Sequence, residues 1–452
     1  MKIIIAGDGK VGLALTQQLL REGHDLVVVD SNPQVLKAHV ERYDVMAVLG
    51  NAATMETLRQ AGVEEADLLI AVTSTDELNL LCCLIGRKMN ARLHTIARVR
   101  TPEYAEQLFA MREEFGLSMT INPELSAARE IFRIMQFPSF LRRETFAKGR
   151  VEIVELGVEA GSPLDGIALH ALYRIARVKV LVCAVEREYQ VTIPGGDYIL
   201  HAGDHIYVTA QAVNLAQLIK NLGIGSHKVR QAILIGGGRV SYYLAERLLA
   251  IGVGVKIIEK DELRARYLAE QLPQATVICG DGSDNALLES EDIESADALV
   301  TLTGMDEENI VVSMYACSRG VRKVVTKVNR LDYGNMFINM GVGSVVSPKE
   351  LCSASIARYV RAMEGQTGSV LALYRIADGG AEALEFRVEA STPWCGRPLK
   401  EIPVKKGVLI SCITHKGDTI IADGNSRFEP GDTVVVVTTC ENPFHQICDI
   451  FD

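Results

Sequence analysis

The feature that most constrains this chain is that it is written twice. Ile3-Ile4-Ile5-Ala6-Gly7-Asp8-Gly9-Lys10-Val11-Gly12 is echoed by Ile233-Leu234-Ile235-Gly236-Gly237-Gly238-Arg239-Val240-Ser241. Gly7 to Gly236 and Asp30 to Glu259 are each separated by 229 positions, and Arg98 to Lys327 by 229 again. Between them, Gly50 to Gly280, Asp67 to Asp297, Thr73 to Thr303, Asp76 to Asp306 and Asn79 to Asn309 are separated by 230. An offset held within one residue over so long a stretch is a tandem duplication, not a chance likeness of two glycine loops. It continues downstream, where Ser162-Pro163-Leu164 with Gly166 matches Thr392-Pro393-Trp394 with Gly396, and Ala202-Gly203-Asp204 matches Pro430-Gly431-Asp432.

Each copy reads as a longer α/β unit followed by a shorter β-rich one. In the first, short apolar runs at Lys2–Ala6, Leu26–Val29, Val45–Leu49, Leu68–Val72 and Thr95–Val99 are separated by helical patterns. The counterparts in the second are Ala232–Ile235, Val255–Ile258, Thr276–Cys279, Ala298–Leu302 and Lys323–Val328. Val11–Arg21 carries Leu13, Leu15, Leu19 and Leu20 roughly on one face, and Asn32-Pro33 is a good helix start. Strands alternating with helices predict parallel βαβ units. The segments Val151–Ala210 and about Val370–Thr439 are valine-rich and broken by Gly-Asp and Pro-Gly turns. The expected organisation is residues 1–135 as the first α/β lobe with a helix running on to about 149, then 150–225, 229–365 and 370–452. Gly149, Gly225 and Gly365–Gly368 are the expected joints.

The first glycine loop follows a strand and opens a helix, the context that gives G-x-G-x-x-G its meaning. Gly7 permits a tight turn, Gly9 lets a pyrophosphate approach backbone N–H groups, and Gly12 lets helix and strand pack closely. Asp30, at the end of the second strand, suits ribose hydroxyls and disfavours a 2′-phosphate, pointing to NAD or an adenosine nucleotide rather than NADP. Asp8 sets a carboxylate near the expected phosphates; it is expected either to face solvent or to be offset by Lys10. In the second loop Ser241 stands at the third glycine's place and Glu259 at the acid's. Gly50-Asn51-Ala52 and Gly280-Asp281-Gly282 are candidates for an adenine pocket, and Thr73-Ser74 and Thr303-Gly304 for the phosphates. Arg98 and Lys327 are matched cations for a phosphate, with Arg100 a weaker candidate. The loop neighbours Lys10, Val11, Arg239 and Val240 complete the candidate sites.

Several classes are disfavoured. The net charge of −10, from 57 acidic against 47 basic residues, is wrong for a broad nucleic-acid binder. Apolar runs such as Leu80–Ile85 reach about six residues against the ~20 that span a bilayer, and no signal peptide is visible. A cytosolic chain is therefore expected. Ten cysteines without a C-x-x-C pair and nine scattered histidines argue against a zinc site. None of the histidines recurs at equivalent positions, and no G-x-S-x-G, H-E-x-x-H or Walker A motif occurs. Two nucleotide folds without an acid/base constellation suggest a sensor rather than an enzyme. An NAD-dependent oxidoreductase and a nucleotide-responsive regulator of a soluble partner remain the alternatives.

The G-x-G-x-x-G loop with Asp30, Gly50-Asn51-Ala52, Ala71-Val72-Thr73 and Ile96-Ala97-Arg98 resembles the RCK (regulator of potassium conductance, or KTN) domain family. Residues 151–210 and 370–439 resemble its C-terminal lobe. Two copies in one chain resemble the tandem-RCK regulatory subunits of bacterial Trk potassium uptake systems. The resemblance implies two Rossmann-like parallel-sheet N-lobes, each followed by a small β-rich α+β C-lobe. It also implies NAD(H) and ATP/ADP as ligands, homo-oligomeric assembly into a ring, and peripheral attachment to a TrkH-type potassium-translocating membrane subunit. It assigns Gly7, Gly9, Gly12, Asp30, Asn51, Thr73 and Arg98 to a first site, and Gly236, Gly238, Glu259, Asp281, Thr303 and Lys327 to a second. The helix around Pro123–Phe140 becomes a crossover exchanged between N-lobes.

Overall fold

The computed structural model describes residues 1–101, 104, 114–136, 143–146, 150–188, 190–222, 229–329, 343–364, 370–377, 380–439, 444 and 446–451. The expected joints at Gly149, Gly225 and Gly365–Gly368, and the end of the proposed crossover beyond Gln136, lie outside them.

The first α/β lobe begins β1 (Lys2–Ala6), α1 (Lys10–Arg21), β2 (Asp25–Asp30), α2 (Pro33–Val40) and β3 (Met46–Leu49). It continues through a short helix to β4 (Leu68–Ala71), α4 (Asp76–Met89, the intervening Met55–Gln60 being α3), β5 (His94–Arg98) and β6 (Met119–Ile121). All neighbouring strands pair in parallel, in the order β3-β2-β1-β4-β5-β6. Strands β1 and β4 read as unbroken apolar runs because helices cover both faces of the sheet, and Ile3, Ile5, Leu68 and Ile70 are fully buried. The Asn32 side chain accepts from the N–H groups of Gln34 and Val35, with Pro33 in the first turn, which sets the start of α2. Thr75 caps α4 in the same way. Strand β6 escapes the sequence reading because three residues carry no measurable period.

The first β-rich lobe holds β7 (Arg143–Phe146), β8 (Val151–Gly157), β9 (Val180–Arg187), β10 (Gln190–Thr192) and β11 (His205–Gln211), antiparallel in the order β10-β9-β11-β8-β7. The second copy repeats both sheets. Strands β12 (Gln231–Ile235), β13 (Gly254–Glu259), β14 (Thr276–Cys279), β15 (Ala298–Thr301), β16 (Lys323–Lys327) and β17 (Ser344–Val346) run parallel in the order β14-β13-β12-β15-β16-β17. Strands β18 (Val370–Ile376), β19 (Ala381–Arg387), β20 (Val408–His415), β21 (Asp418–Ile421) and β22 (Thr433–Thr438) are antiparallel in the order β18-β19-β22-β20-β21.

The chain groups by kind of lobe, not by copy. Residues 1–132 and 230–357, the two α/β lobes, form one compact unit; 133–229 and 358–452 form the other. Within the α/β unit, the Tyr243 hydroxyl of the helix Arg239–Ala250 donates to the Arg100 carbonyl at 2.9 Å and accepts from Asn122 Nδ2 at 3.1 Å. Within the β-rich unit a single apolar cluster joins Ile153, Cys183 and Tyr207 of the first copy to Ala383, Cys412 and Val435 of the second. The two open sheets thereby cover each other's apolar faces, and burial raises the thiols of Cys183 and Cys412 to about 12, so they behave as core residues.

Candidate functional site

In each parallel sheet the strand order reverses beside the first strand, the place where open α/β sheets take ligands at the carboxyl ends of their strands. In the first copy this is a cavity of about 460 Å³, and Gly7, Gly9, Asp30, Asn51, Ala52, Thr73 and Arg98 line it together. Gly7 has φ +101°, and a Cβ on it would sit 2.7 Å from the Thr73 nitrogen. Gly12 does not reach the cavity; a Cβ there would lie 2.0 Å from the Gly7 carbonyl oxygen, so the third glycine lets the helix close on the loop. Gly9 caps α1 with no side-chain bond to the first turn. The N–H groups there are thus left for an external acceptor, the usual anion site at a helix start. Val11 is buried in the helix and Lys10 is exposed at its first position. Val29, Ser31, Val72 and Leu78 also line the cavity and were not anticipated. They flank predicted strand ends or enter from the first turn of α4, a position legible only once the topology is known.

Asp30 organises the loop. Its Oδ2 accepts the Asp8 N–H at 2.7 Å and its Oδ1 the Asn32 N–H at 2.8 Å. At the opposite wall, Asn79 is fully buried and spans two strand ends. Its Oδ1 accepts from both the backbone N–H and the hydroxyl of Thr73, each at 2.7 Å, while its Nδ2 donates to the Arg98 carbonyl at 2.9 Å. Arg98 Nη2 donates to the Thr73 carbonyl, and its buried Nε has no hydrogen-bond partner. Burial, and then Arg100, push the Arg98 guanidinium below its ordinary pKa. A desolvated cation with an unused donor at the mouth of a phosphate loop suits an anionic group. Arg100 itself pairs with Asp76 at 3.4 Å.

The structure corrects the reading of Asp8. Its carboxylate neither faces solvent nor is offset by Lys10; it is buried against His39 Nδ1 of α2. The two residues are 31 positions apart, and no local pattern links them.

The second copy reproduces the scaffold with different fittings. Glu259 takes Asp30's role, accepting the N–H groups of Gly237 and Asp261. Asn309 repeats Asn79, accepting from the Thr303 N–H and donating to the Lys327 carbonyl, both at 2.9 Å. Gly236 keeps φ +94°, and Gly238 starts the helix without a side-chain cap. Arg239 is exposed and Val240 buried at the first helical positions. Ser241 fits in place of the third glycine by donating its hydroxyl to the Gly236 carbonyl. Lys327 Nζ reaches the Leu302 carbonyl at 3.3 Å, and burial lowers its pKa, with Lys10 of the first copy adding in the same direction. Asp281 does not stand open as Asn51 does; it is paired at 2.6 Å with Lys260, which replaces Ser31. Arg264 further ties the loop by donating to the Gly237 carbonyl at 2.7 Å.

A glycine loop at the switch point of a parallel sheet, present twice and each time followed by a small antiparallel lobe, defines a tandem RCK-type protein. The chain belongs to the TrkA family: TrkA-N domain models match residues 3–123 and 232–348, and TrkA-C domain models match 153–223 and 383–451. The Trk system potassium uptake protein TrkA of Haemophilus influenzae is 31% identical over 458 residues, covering 100% of this chain and 98% of the relative. A TrkA homolog of Archaeoglobus fulgidus is 31% identical over 436 residues, 96% of this chain and 97% of its own. In fold, the chain is similar to the GsuK channel, with a TM-score of 0.65 at 19% identity over 97% of this chain and 77% of that one. That channel has also been solved bound to NAD and to ADP.

Proposed function

We propose that this protein is a nucleotide-sensing regulatory subunit of a potassium uptake system, binding NAD(H) or adenine nucleotides in its α/β lobes. The observation that carries the reading is the first crevice, where an uncapped helix start, Asp30 and the part-satisfied Arg98 face one cavity. The naming of the relatives as Trk system potassium uptake proteins supports the potassium role, and the NAD and ADP complexes of the structurally similar GsuK support the ligand class. ATP is included because Arg98 suits an added phosphate. The protein is read as a regulator and not an enzyme because its relatives are named as potassium uptake proteins of the Trk system.

The effector acts by population shift, changing the assembly by as much as its affinities for two conformations differ. A tenfold preference corresponds to about 1.4 kcal/mol per site, and several coupled sites multiply it. The partner is a TrkH-type membrane subunit, with the chain cytoplasmic and peripheral; no helix among the described residues is long and apolar enough to cross a membrane. Self-association into a ring is supported by the exposed Leu81 and Leu84 of α4 and by their equivalents Val311 and Met314, 230 positions on. Titration calorimetry with NADH, NAD, ATP and ADP, on the wild type and on Asp30→Ala, tests the reading. Loss of binding in Asp30→Ala without any turnover supports it. Steady NADH consumption with a small carbonyl compound would favour an oxidoreductase, and no binding by any of the four would leave only the fold.

A further inference from the structure

The buried Asp8–His39 pair has no place in the reading above. Asp8 lies between the two glycines that line the cavity, its backbone N–H held by Asp30 and its carboxylate turned inward against His39. Both side chains are almost wholly buried, at 1% and 3% exposure. Asp8 Oδ1 and His39 Nε2 are buried with no hydrogen-bond partner. The second copy replaces both residues at the same offset of 229, with Gly237 for Asp8 and Leu268 for His39. There the space is filled apolarly: a Cβ added to Gly237 would lie 2.5 Å from Leu268 Cδ1. Two copies of one loop thus rest on different supports, one titratable and one not.

We propose that the Asp8–His39 pair couples nucleotide binding at the first crevice to protonation, so that the first copy binds a nucleotide pyrophosphate more tightly at lower pH and the second does not share this response. The inference rests on the proposed nucleotide reading and names a regulation of that site. A carboxylate accepts only, so His39 presents Nδ1–H to Asp8 in the neutral ring, and a further proton enters at Nε2. With His39 neutral and Asp8 ionised the pair carries one negative charge directly beneath the loop; with His39 protonated it carries none. A pyrophosphate held by the loop N–H groups disfavours the charged pair, and binding therefore takes up a proton. The other groups around the pair do not cancel this effect. Asp30 from β2 adds negative charge. Tyr43, whose ring centre lies 5.0 Å from that of His39, is held by Gln17 of α1 and has Arg42 over its ring. Lys10 is exposed at the start of α1. Burial raises the Asp8 carboxyl, and the hydrogen bond from His39 opposes it.

NAD binding to the full chain is measured from about pH 6 to about pH 9, a range spanning the ordinary histidine pKa. Wild-type affinity is expected to fall by about tenfold across it, with proton uptake visible as a dependence of the calorimetric heat on the buffer's ionisation enthalpy. Asp8→Gly with His39→Leu, which copies the second half's own solution, is expected to bind with a flat profile. His39→Gln keeps an amide donor for Asp8 without an ionising group, and is expected to bind weakly and without slope. An unchanged slope in either variant would overturn the coupling, as would a flat wild-type profile. A wild type that binds NAD at no pH would overturn the nucleotide reading itself.

Discussion

The two α/β lobes are the same fold built around two differently furnished glycine loops. Both keep what the backbone requires: a glycine at positive φ, an acid gripping the loop N–H groups, and an asparagine tying the fourth strand's end to the fifth's. They differ in what a ligand would meet. The first offers Asn51, Ser31 and Arg98; the second offers Asp281 already paired with Lys260, and Lys327 in place of arginine. Backbone demands are shared because the turn and the helix start are geometric. Side chains around them are under no such geometric demand, and there the two copies have diverged.

The comparison is most sharply broken at the third loop position. Gly12→Val drives carbon into the Gly7 carbonyl, at a cost of about 3 kcal/mol or more. It is expected to lower nucleotide affinity of the first copy by about 100-fold or more, whereas Ser241→Gly changes the second by about threefold or less. A comparable loss from both, measured by calorimetry, would mean that the loops are not built on different closures. Next in size, Arg98→Ala is expected to flatten discrimination between ATP and ADP by about tenfold. Lys327→Ala is expected to leave that discrimination in place; equal effects from the two would place phosphate sensing in both copies.

Stability separates the copies as well. Lys323 opens β16 where exposed His94 opens β5. Burial lowers the Lys323 amine to about 8. Its folded pKa lies below its unfolded value, so the unfolded chain holds the extra proton between the two. The contribution of this group to stability therefore rises as pH goes from about 8 toward about 10.5. Lys323→Met is expected to stabilise the fold by about 1 kcal/mol near pH 7, with a gain that shrinks above about pH 9 in urea titrations. A gain independent of pH would assign it to packing instead. The smallest effect belongs to Lys260→Ser. Lys260 is exposed, so the melting temperature is expected to stay within measurement scatter. Only nucleotide affinity of the second copy should move, upward, by about threefold; a large melting shift would make the pair structural.

Much of this architecture was legible in the chain. The duplication, five strands of each parallel sheet, the Asn32-Pro33 helix start and the glycine loop with Asp30 were all read from local patterns. The first-site candidates Gly7, Gly9, Asp30, Asn51, Ala52, Thr73 and Arg98 meet in one cavity because they all sit at strand ends, which a parallel sheet brings to the same edge. Strands β6 and β17 were missed, being three residues each. Asp8 was misread, because a carboxylate's direction depends on a partner on another helix.

The sequence by itself determined the repeat, the alternation of strand and helix and the backbone chemistry of the loops, because these depend on neighbours along the chain: side-chain period, capping and permitted φ. Only the tertiary structure decided the rest. It turned Asp8 onto His39, aimed Arg98 at the Thr73 carbonyl, locked Lys260 onto Asp281 and grouped like lobe with like across the two copies. The placements of Asp8 and Arg98 are settled by which distant surface excludes water from the side chain, and a polar or charged group so enclosed takes whatever partner the packing leaves within reach.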